Sequence, residues 1–187
     1  MNLLAEMNIP CFSKAVFSDF ILRELRSDHA GETGAVFIYK GVLAVARDPV
    51  VRIFAEDHLV TENQHLDFFN QWLPNNYHSK LLFLWKLSGF FLGAFSALMG
   101  KKILFLTITA VETFVVKHYA KQISYLHSQG SSLEKSLIPI LVKFQSEEQY
   151  HCADAESRLG HAGSVAKLWC SLVGLGSSLA VTVAKRV

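Results

Sequence analysis

A glutamate followed further on by Glu-x-x-His occurs twice in this chain, first as Glu32 with Glu62 and His65, then as Glu112 with Glu148 and His151. Residues three apart share one face of a helix, so each Glu-x-x-His points both side chains the same way. Apolar residues around all six positions recur at a helical period, and strand-like alternation is nearly absent. The fold class that follows is all-α, and the duplication divides the chain into two helical hairpins.

The first hairpin reads as a helix from about Phe17 to Ala46 and a second from Pro49, which suits a first helical position, to about Trp72. Leu73-Pro74-Asn75-Asn76 stops it. The second hairpin reads as a long helix ending near His127, a turn at Ser128–Ser132, and a helix over roughly Leu133–Leu159, broken by Gly160 and Gly163. Ser164 is a candidate cap for a last helix, Val165–Lys185. Between the hairpins, Leu81–Gly100 holds one charge, Lys86, and leads into Lys101-Lys102. With 187 residues and no flexible linker, the expectation is a single domain over 1–187, with 81–100 as an apolar crossover and 164–187 as a C-terminal helix.

Folding each hairpin about its turn tests the spacing. Glu32 stands about sixteen residues before the first turn and Glu62 about fourteen after it, so at roughly 1.5 Å per residue they come level. Glu112 and Glu148 each lie about eighteen residues from the second turn and come level too. One Glu from each of two helices, plus Glu-x-x-His from each of two others, is the inventory of a ferritin-like dinuclear carboxylate site. Carboxylates and imidazoles suit iron or manganese better than zinc or copper sites rich in thiolate. Glu62 and Glu148 are placed to bridge two metals, with Glu32 and Glu112 as terminal ligands. Glu112 also follows the apolar run Leu104–Val111, where an unpaired carboxylate is costly to bury.

Composition narrows the remaining classes. Eighteen basic against sixteen acidic residues give a net charge of +2, which excludes the basic footprint of a nucleic-acid binder. Cys11, Cys152 and Cys170 are odd in number and lack CxxC spacing, so they read as free thiols in a reducing compartment. Met1–Phe20 contains Asp19, Glu6 and one basic residue, Lys14, and resembles neither a secretory signal nor a transit peptide. A mature chain made in the cytosol, most simply of a bacterium, is the expectation.

Asp28-His29-Ala30-Gly31-Glu32-Thr33-Gly34-Ala35, Ile38-Tyr39-x-Gly41, Ala110-Val111-Glu112, His118-Tyr119-x-x-Gln122 and Phe144-x-x-Glu147-Glu148-x-x-His151 follow one another in the order of a known family. On these blocks, with Glu62-x-x-His65-Leu66 and Gly93-Ala94, the chain resembles the demethoxyubiquinone hydroxylases of ubiquinone biosynthesis from about Leu25 to its C-terminus. The resemblance implies a di-iron monooxygenase, with two Fe ions per subunit, that hydroxylates the ring of a polyprenylated demethoxyquinol using O2. The ligands carried over by position are the six already derived. Val42 stands where relatives carry Gln, and Ser146 where an acidic residue is common; neither is a ligand.

The chain shows no Rossmann fingerprint or cluster-binding cysteine motif, so an external reductant is expected: a partner, NADH acting through the quinone, or the quinol itself. Tyr119, seven residues after Glu112 and on its face, is a candidate to pass a proton or steady a radical; a buried tyrosine bonded to a carboxylate is the other reading. His118 enters as a catalytic candidate through the family motif. Arg26 reads as a solvated residue or a counter-charge to the first ligand, and His29, His58, His78, His127 and His161 as surface or satisfied core residues.

A polyprenyl substrate accounts for the crossover, expected to lie in a membrane interface with Lys86, Lys101 and Lys102 at headgroup level. The family implies peripheral attachment to the cytoplasmic face of a bacterial inner membrane, or the matrix side of the mitochondrial one, and an assembly with other biosynthetic proteins and a lipid carrier. Competing readings are a ferritin-like iron-storage protein and a di-metal peroxidase or catalase.

Overall fold

The computed structural model describes residues 9–14, 16–160 and 164–187. Its six long helices are α1 (Asp19–Val45), α2 (Pro49–Trp72), α3 (Leu82–Leu98), α4 (Lys101–Gln129), α5 (Ile138–Ser157) and α6 (Ser164–Ala184), with no strand among the described residues. Local chemistry sets their ends. The Ser18 hydroxyl accepts from the Ile21 N–H to start α1, and the Asp48 carboxylate accepts from the Val50 and Val51 N–H groups, with Pro49 in the first turn of α2. Cap geometry at Ser164, and everything about His161, lies outside the described residues.

One expected helix divides in two. In place of Leu133–Leu159 there is a single turn, Ser132–Lys135, with a Ser131–Glu134 capping box, and then α5 from Ile138. Pro139 is the reason: its ring is tolerated in a first turn but clashes with a preceding one. Glu134 Oε1 also accepts from the Ser18 N–H and hydroxyl, 2.8 and 2.6 Å away, which ties this turn to the start of α1.

Helices α1, α2, α4 and α5 carry the six predicted ligands, so the molecule is a helical bundle of the ferritin-like kind. Apolar clusters fill its two ends. Phe69, Leu126, Leu137 and Phe144 belong to one, and Phe54, Leu104, Phe105 and Ile108 to the other. The polar centre lies between them.

The crossover is pinned to α1 backbone against backbone. A Cβ on Gly93 would stand 1.9 Å from the Ile38 carbonyl oxygen, one on Gly89 2.4 Å from that of Gly34, and one on Gly41 2.1 Å from that of Phe90. Gly89 and Gly93 form the small-xxx-small face that lets two helix backbones meet. The other side of α3 leaves Phe83, Phe91, Phe95 and Leu98 exposed, and α6 leaves Leu168, Leu172, Leu175 and Leu179 exposed. The two helices run alongside one another: Phe95 and Trp169 have ring centroids 6.3 Å apart, and the Lys80 N–H donates to the Val187 carbonyl at 3.1 Å.

By length and composition, α4 and residues 166–184 of α6 could cross a membrane, and α3 is shorter. The apolar stretch of α4 is 44% buried and supplies Leu104, Phe105 and Ile108 to the core. That of α6 is only 11% buried. Lys101 Nζ is 2.6 Å from Asp48 Oδ2, fastening the start of α4 to the α1–α2 turn, while Lys86 Nζ lies over the Phe37 ring.

Candidate metal centre

Helix periodicity brings the six residues to one place because each sits on the inward stripe of its helix at mid-length. All six are buried. Ligand atoms of Glu32, Glu62, His65 and Glu148 lie within 4.8 Å of one another, as do those of Glu62, Glu112, Glu148 and His151. Glu62 and Glu148 belong to both groups. Glu32 with His65, and Glu112 with His151, belong to one each.

Each of the six also holds a buried side-chain atom without a hydrogen-bond partner: Glu32 Oε2, both Glu62 oxygens, His65 Nδ1, Glu112 Oε2, Glu148 Oε2 and His151 Nδ1. Buried polar atoms are nearly always partnered, and a convergent set of orphans is what cations complete. The imidazole nitrogens come close to carboxylates, His65 Nδ1 at 3.0 Å from Glu148 Oε1 and His151 Nδ1 at 3.0 Å from Glu62 Oε1, without hydrogen-bond geometry. A hard-oxygen and imidazole donor set of this kind fits two divalent ions.

Without metal the carboxylates and imidazoles share protons. Burial, and then the Glu148 charge, push the Glu62 carboxyl up to about 8. Burial, Glu148 and Glu62 likewise hold the Glu112 carboxyl well above its ordinary value. Burial opposes charging of His151, but its contacts with Glu148 and Glu62 outweigh this and raise it to about 9. His65 is raised well above its usual value against the same opposition, by Glu147, Glu148 and Glu32. Glu148 goes the other way: burial raises it, yet the two histidines win and hold it below the carboxylate range.

The ligands are held from behind by residues that bond them to the bundle. The Tyr119 hydroxyl donates to Glu32 Oε1 at 2.5 Å, and the Tyr39 hydroxyl donates to Glu112 Oε1 at 3.1 Å. Each terminal glutamate thus has one committed oxygen and one free. His65 Nε2 meets Glu147 Oε2 at 2.9 Å, the carboxylate–histidine pairing that orients a metal-binding imidazole. Burial, and then the glutamates around them, keep both tyrosines protonated far above their usual range.

Tyr119 therefore faces the centre, and its contact is the bond to a carboxylate. His118 does not. Its Nε2 lies 3.0 Å from Asp28 Oδ1 and 3.5 Å from Glu24 Oε2, in a separate polar cluster where Gln122 donates to Asp28. The hundred-degree step between successive helical residues separates the two side chains. Arg26 is no counter-charge: it donates to the Tyr77 and Lys185 carbonyls, clasping α1 to the turn before α3 and to the end of α6. His29 is buried against Asn70 and His78, and His127 is exposed. Val42 is core and Ser146 is exposed, so neither departure from the family pattern reaches the centre.

Tyr39, Glu147 and Asp154 went without a role in the sequence although their signals were there, and His58, read as a surface or satisfied core residue, is buried with a partner at each nitrogen. Tyr39 follows Glu32 by the interval at which Tyr119 follows Glu112. His58 is one turn before Glu62 and Asp154 one turn after His151, each on the ligand face. Cys152 and Cys170 are free thiols, and the Cys11 thiol lies 3.2 Å from the Ser13 hydroxyl.

Residues 19–184 match the sequence profile of a family described as ubiquinone biosynthesis protein COQ7. The chain is 33% identical to a mitochondrial NADPH-dependent 3-demethoxyubiquinone 3-hydroxylase of Dictyostelium discoideum, over 89% of this chain and 77% of that protein. It is 33% identical to the protein of the same name from Homo sapiens, over 88% and 77%. A 3-demethoxyubiquinol 3-hydroxylase of Rhodospirillum rubrum is 30% identical, again over 88% and 77%. With this match along nearly its whole length, and with the paired Glu and Glu-x-x-His residues gathered at one buried centre, the chain belongs to the COQ7 family of ubiquinone biosynthesis hydroxylases.

Proposed function

We propose that this protein is a di-iron monooxygenase that uses O2 to hydroxylate the ring of a polyprenylated demethoxyubiquinol, working at a membrane surface. The observation that carries the reading is the pair of overlapping four-residue groups, sharing Glu62 and Glu148, with an orphaned buried atom on every member. Glu32, His65 and the shared pair hold one iron; Glu112, His151 and the shared pair hold the other. Two irons held there would supply the activation of O2, one oxygen of which would enter the ring while the other is reduced to water.

The chain's own residues do the rest. Tyr119 and Tyr39 each donate a hydrogen bond to one oxygen of a terminal glutamate and leave the other oxygen to the metal. Phe144, packed on the His65 ring at 4.1 Å, keeps water from that side. The exposed faces of α3 and α6 supply a surface for lipid and for the isoprenoid tail. Two electrons per turnover come from an external reductant, and the NADPH-dependent names of relatives favour a reduced nicotinamide. A soluble iron-storage shell has no use for that apolar surface.

Quinone analysis of cells lacking the protein tests the reading. Accumulation of a demethoxy precursor, reversed by the wild-type chain and not by Glu112→Ala, is expected. Normal ubiquinone in such cells, with no second hydroxylase present, overturns it. Iron analysis is independent, with about two irons per chain expected from the ligand inventory.

A further inference from the structure

Behind the ligands, the two halves of the centre are unlike. On one side Tyr119 bonds Glu32, and the ring against His65 is Phe144, which has no polar atom. On the other, the Tyr39 hydroxyl lies 3.1 Å from Glu112 Oε1 and also 3.3 Å from His58 Nδ1. His58 Nε2 is 2.9 Å from Asp154 Oδ2, and Asp154 pairs at 2.9 Å with Arg158 at the surface. The face of His58 rests on His151, with ring centroids 4.2 Å apart.

His58 therefore touches this half twice, through Tyr39 on Glu112 and through its ring on His151. An imidazole with both nitrogens engaged has one orientation. Asp154 beside Nε2 and the Tyr39 oxygen beside Nδ1 hold the ring between them; the one Tyr39 proton goes to Glu112 Oε1, and only Oε2 is free. The His65 half has no such column: its second carboxylate, Glu147, bonds the ligand imidazole directly.

We infer that His58 and Asp154 are a positioning pair for one of the two metal positions, that of Glu112 and His151, and make the two positions inequivalent. The inference rests on the dinuclear reading. Partners behind a metal ligand typically matter by about 10–100-fold in metal affinity, so the pair's effect is measurable at the position it serves.

Three variants test it in chain loaded with ⁵⁷Fe, read by iron titration and Mössbauer spectroscopy. His58→Phe keeps a ring against His151 and removes both nitrogens, His58→Gln keeps polar ends, and Asp154→Asn changes only the partly exposed end of the column. The wild type holds two irons with two unequal doublets. His58→Phe weakens one iron by about 10–100-fold and alters one doublet while the other stays. His58→Gln recovers part of both, and Asp154→Asn moves the same doublet less. A residue that merely filled space would leave the doublets alone. Unchanged doublets and affinities in both His58→Phe and Asp154→Asn, or equal change in both doublets, overturn the inference. If His58→Phe does not fold, Asp154→Asn decides by the same criteria. A wild-type chain that holds fewer than two irons overturns the dinuclear reading and this inference together, whereas two wild-type irons with unresponsive variants overturn this inference alone.

Discussion

Tyr119 reaches from α4 to bond Glu32 on α1 at 2.5 Å, and the mirror contact runs from Tyr39 on α1 to Glu112 on α4. Each tyrosine follows the glutamate of its own helix by two helical turns and serves the glutamate of the other. The duplication in the chain thus closes on itself at the centre, and each terminal carboxylate depends on a residue from the opposite half.

Removing one of these bonds has a defined cost. Tyr119→Phe leaves Glu32 Oε1 buried without its donor, a loss of about 1–3 kcal/mol in folding stability. It also frees the carboxylate to rotate, and iron affinity falls by about tenfold or more. Chemical denaturation and a competitive iron titration check the two effects, and unchanged iron affinity would count against a holding role for Tyr119.

The crossover's contact with α1 is equally specific. Gly93→Ala puts a methyl 1.9 Å from the Ile38 carbonyl oxygen, which forces α3 off α1 and costs about 1–3 kcal/mol or more. Gly174→Ala in α6 meets nothing within 4 Å and gains up to about 1 kcal/mol of helix propensity. Denaturation midpoints of the two variants should move in opposite directions.

Metal-free protein loses stability as pH rises through the neutral range. Glu62 (about 8 folded against 4.5) and His151 (about 9 folded against 6.5) both bind protons more tightly in the folded chain, so each contributes stability at low pH that is lost on the way up to its folded value. His29 and His58, lowered to about 4, act oppositely, but only between about pH 4 and 6.5. Above pH 6.5 the first pair stands unopposed by these two histidines, and each extra proton held costs about 1.4 kcal/mol per pH unit. Tm of the metal-free chain should fall from pH 6.5 to about 9, while iron affinity rises over the same range because binding releases those protons. A flat Tm contradicts the proton sharing described here.

Membrane attachment is tested on residues that contribute nothing to the core. Phe91, Leu172 and Leu175 are exposed, so their replacement by Glu leaves Tm nearly unchanged. Burying a Leu or Phe side chain in lipid is worth about 1.5–3 kcal/mol, so each change should weaken binding to phospholipid vesicles by about tenfold or more. Co-sedimentation reads this directly, and retained binding by the triple variant would place the membrane contact elsewhere.

The sequence by itself determined the two hairpins, the helices apart from the break before Pro139, and the gathering of Glu32, Glu62, His65, Glu112, Glu148 and His151, because those follow from periods and distances along the chain. A residue seven or three places from a ligand on the same helix must share its face, which is why Tyr119 was legible as a residue of the ligand face. Which partner a side chain meets across the bundle is not written in any local interval. Only the packed helices decided that Tyr119 bonds Glu32, that His118 one step away turns to Asp28, that Arg26 clasps backbone carbonyls, and that His58 stands between Tyr39 and Asp154. The same holds for α3: Gly89 and Gly93 became its contact surface only once Gly34, Ile38 and Gly41 of α1 lay opposite. Local spacing sets direction along one helix, and the pairing of directions between helices is a property of the assembled core.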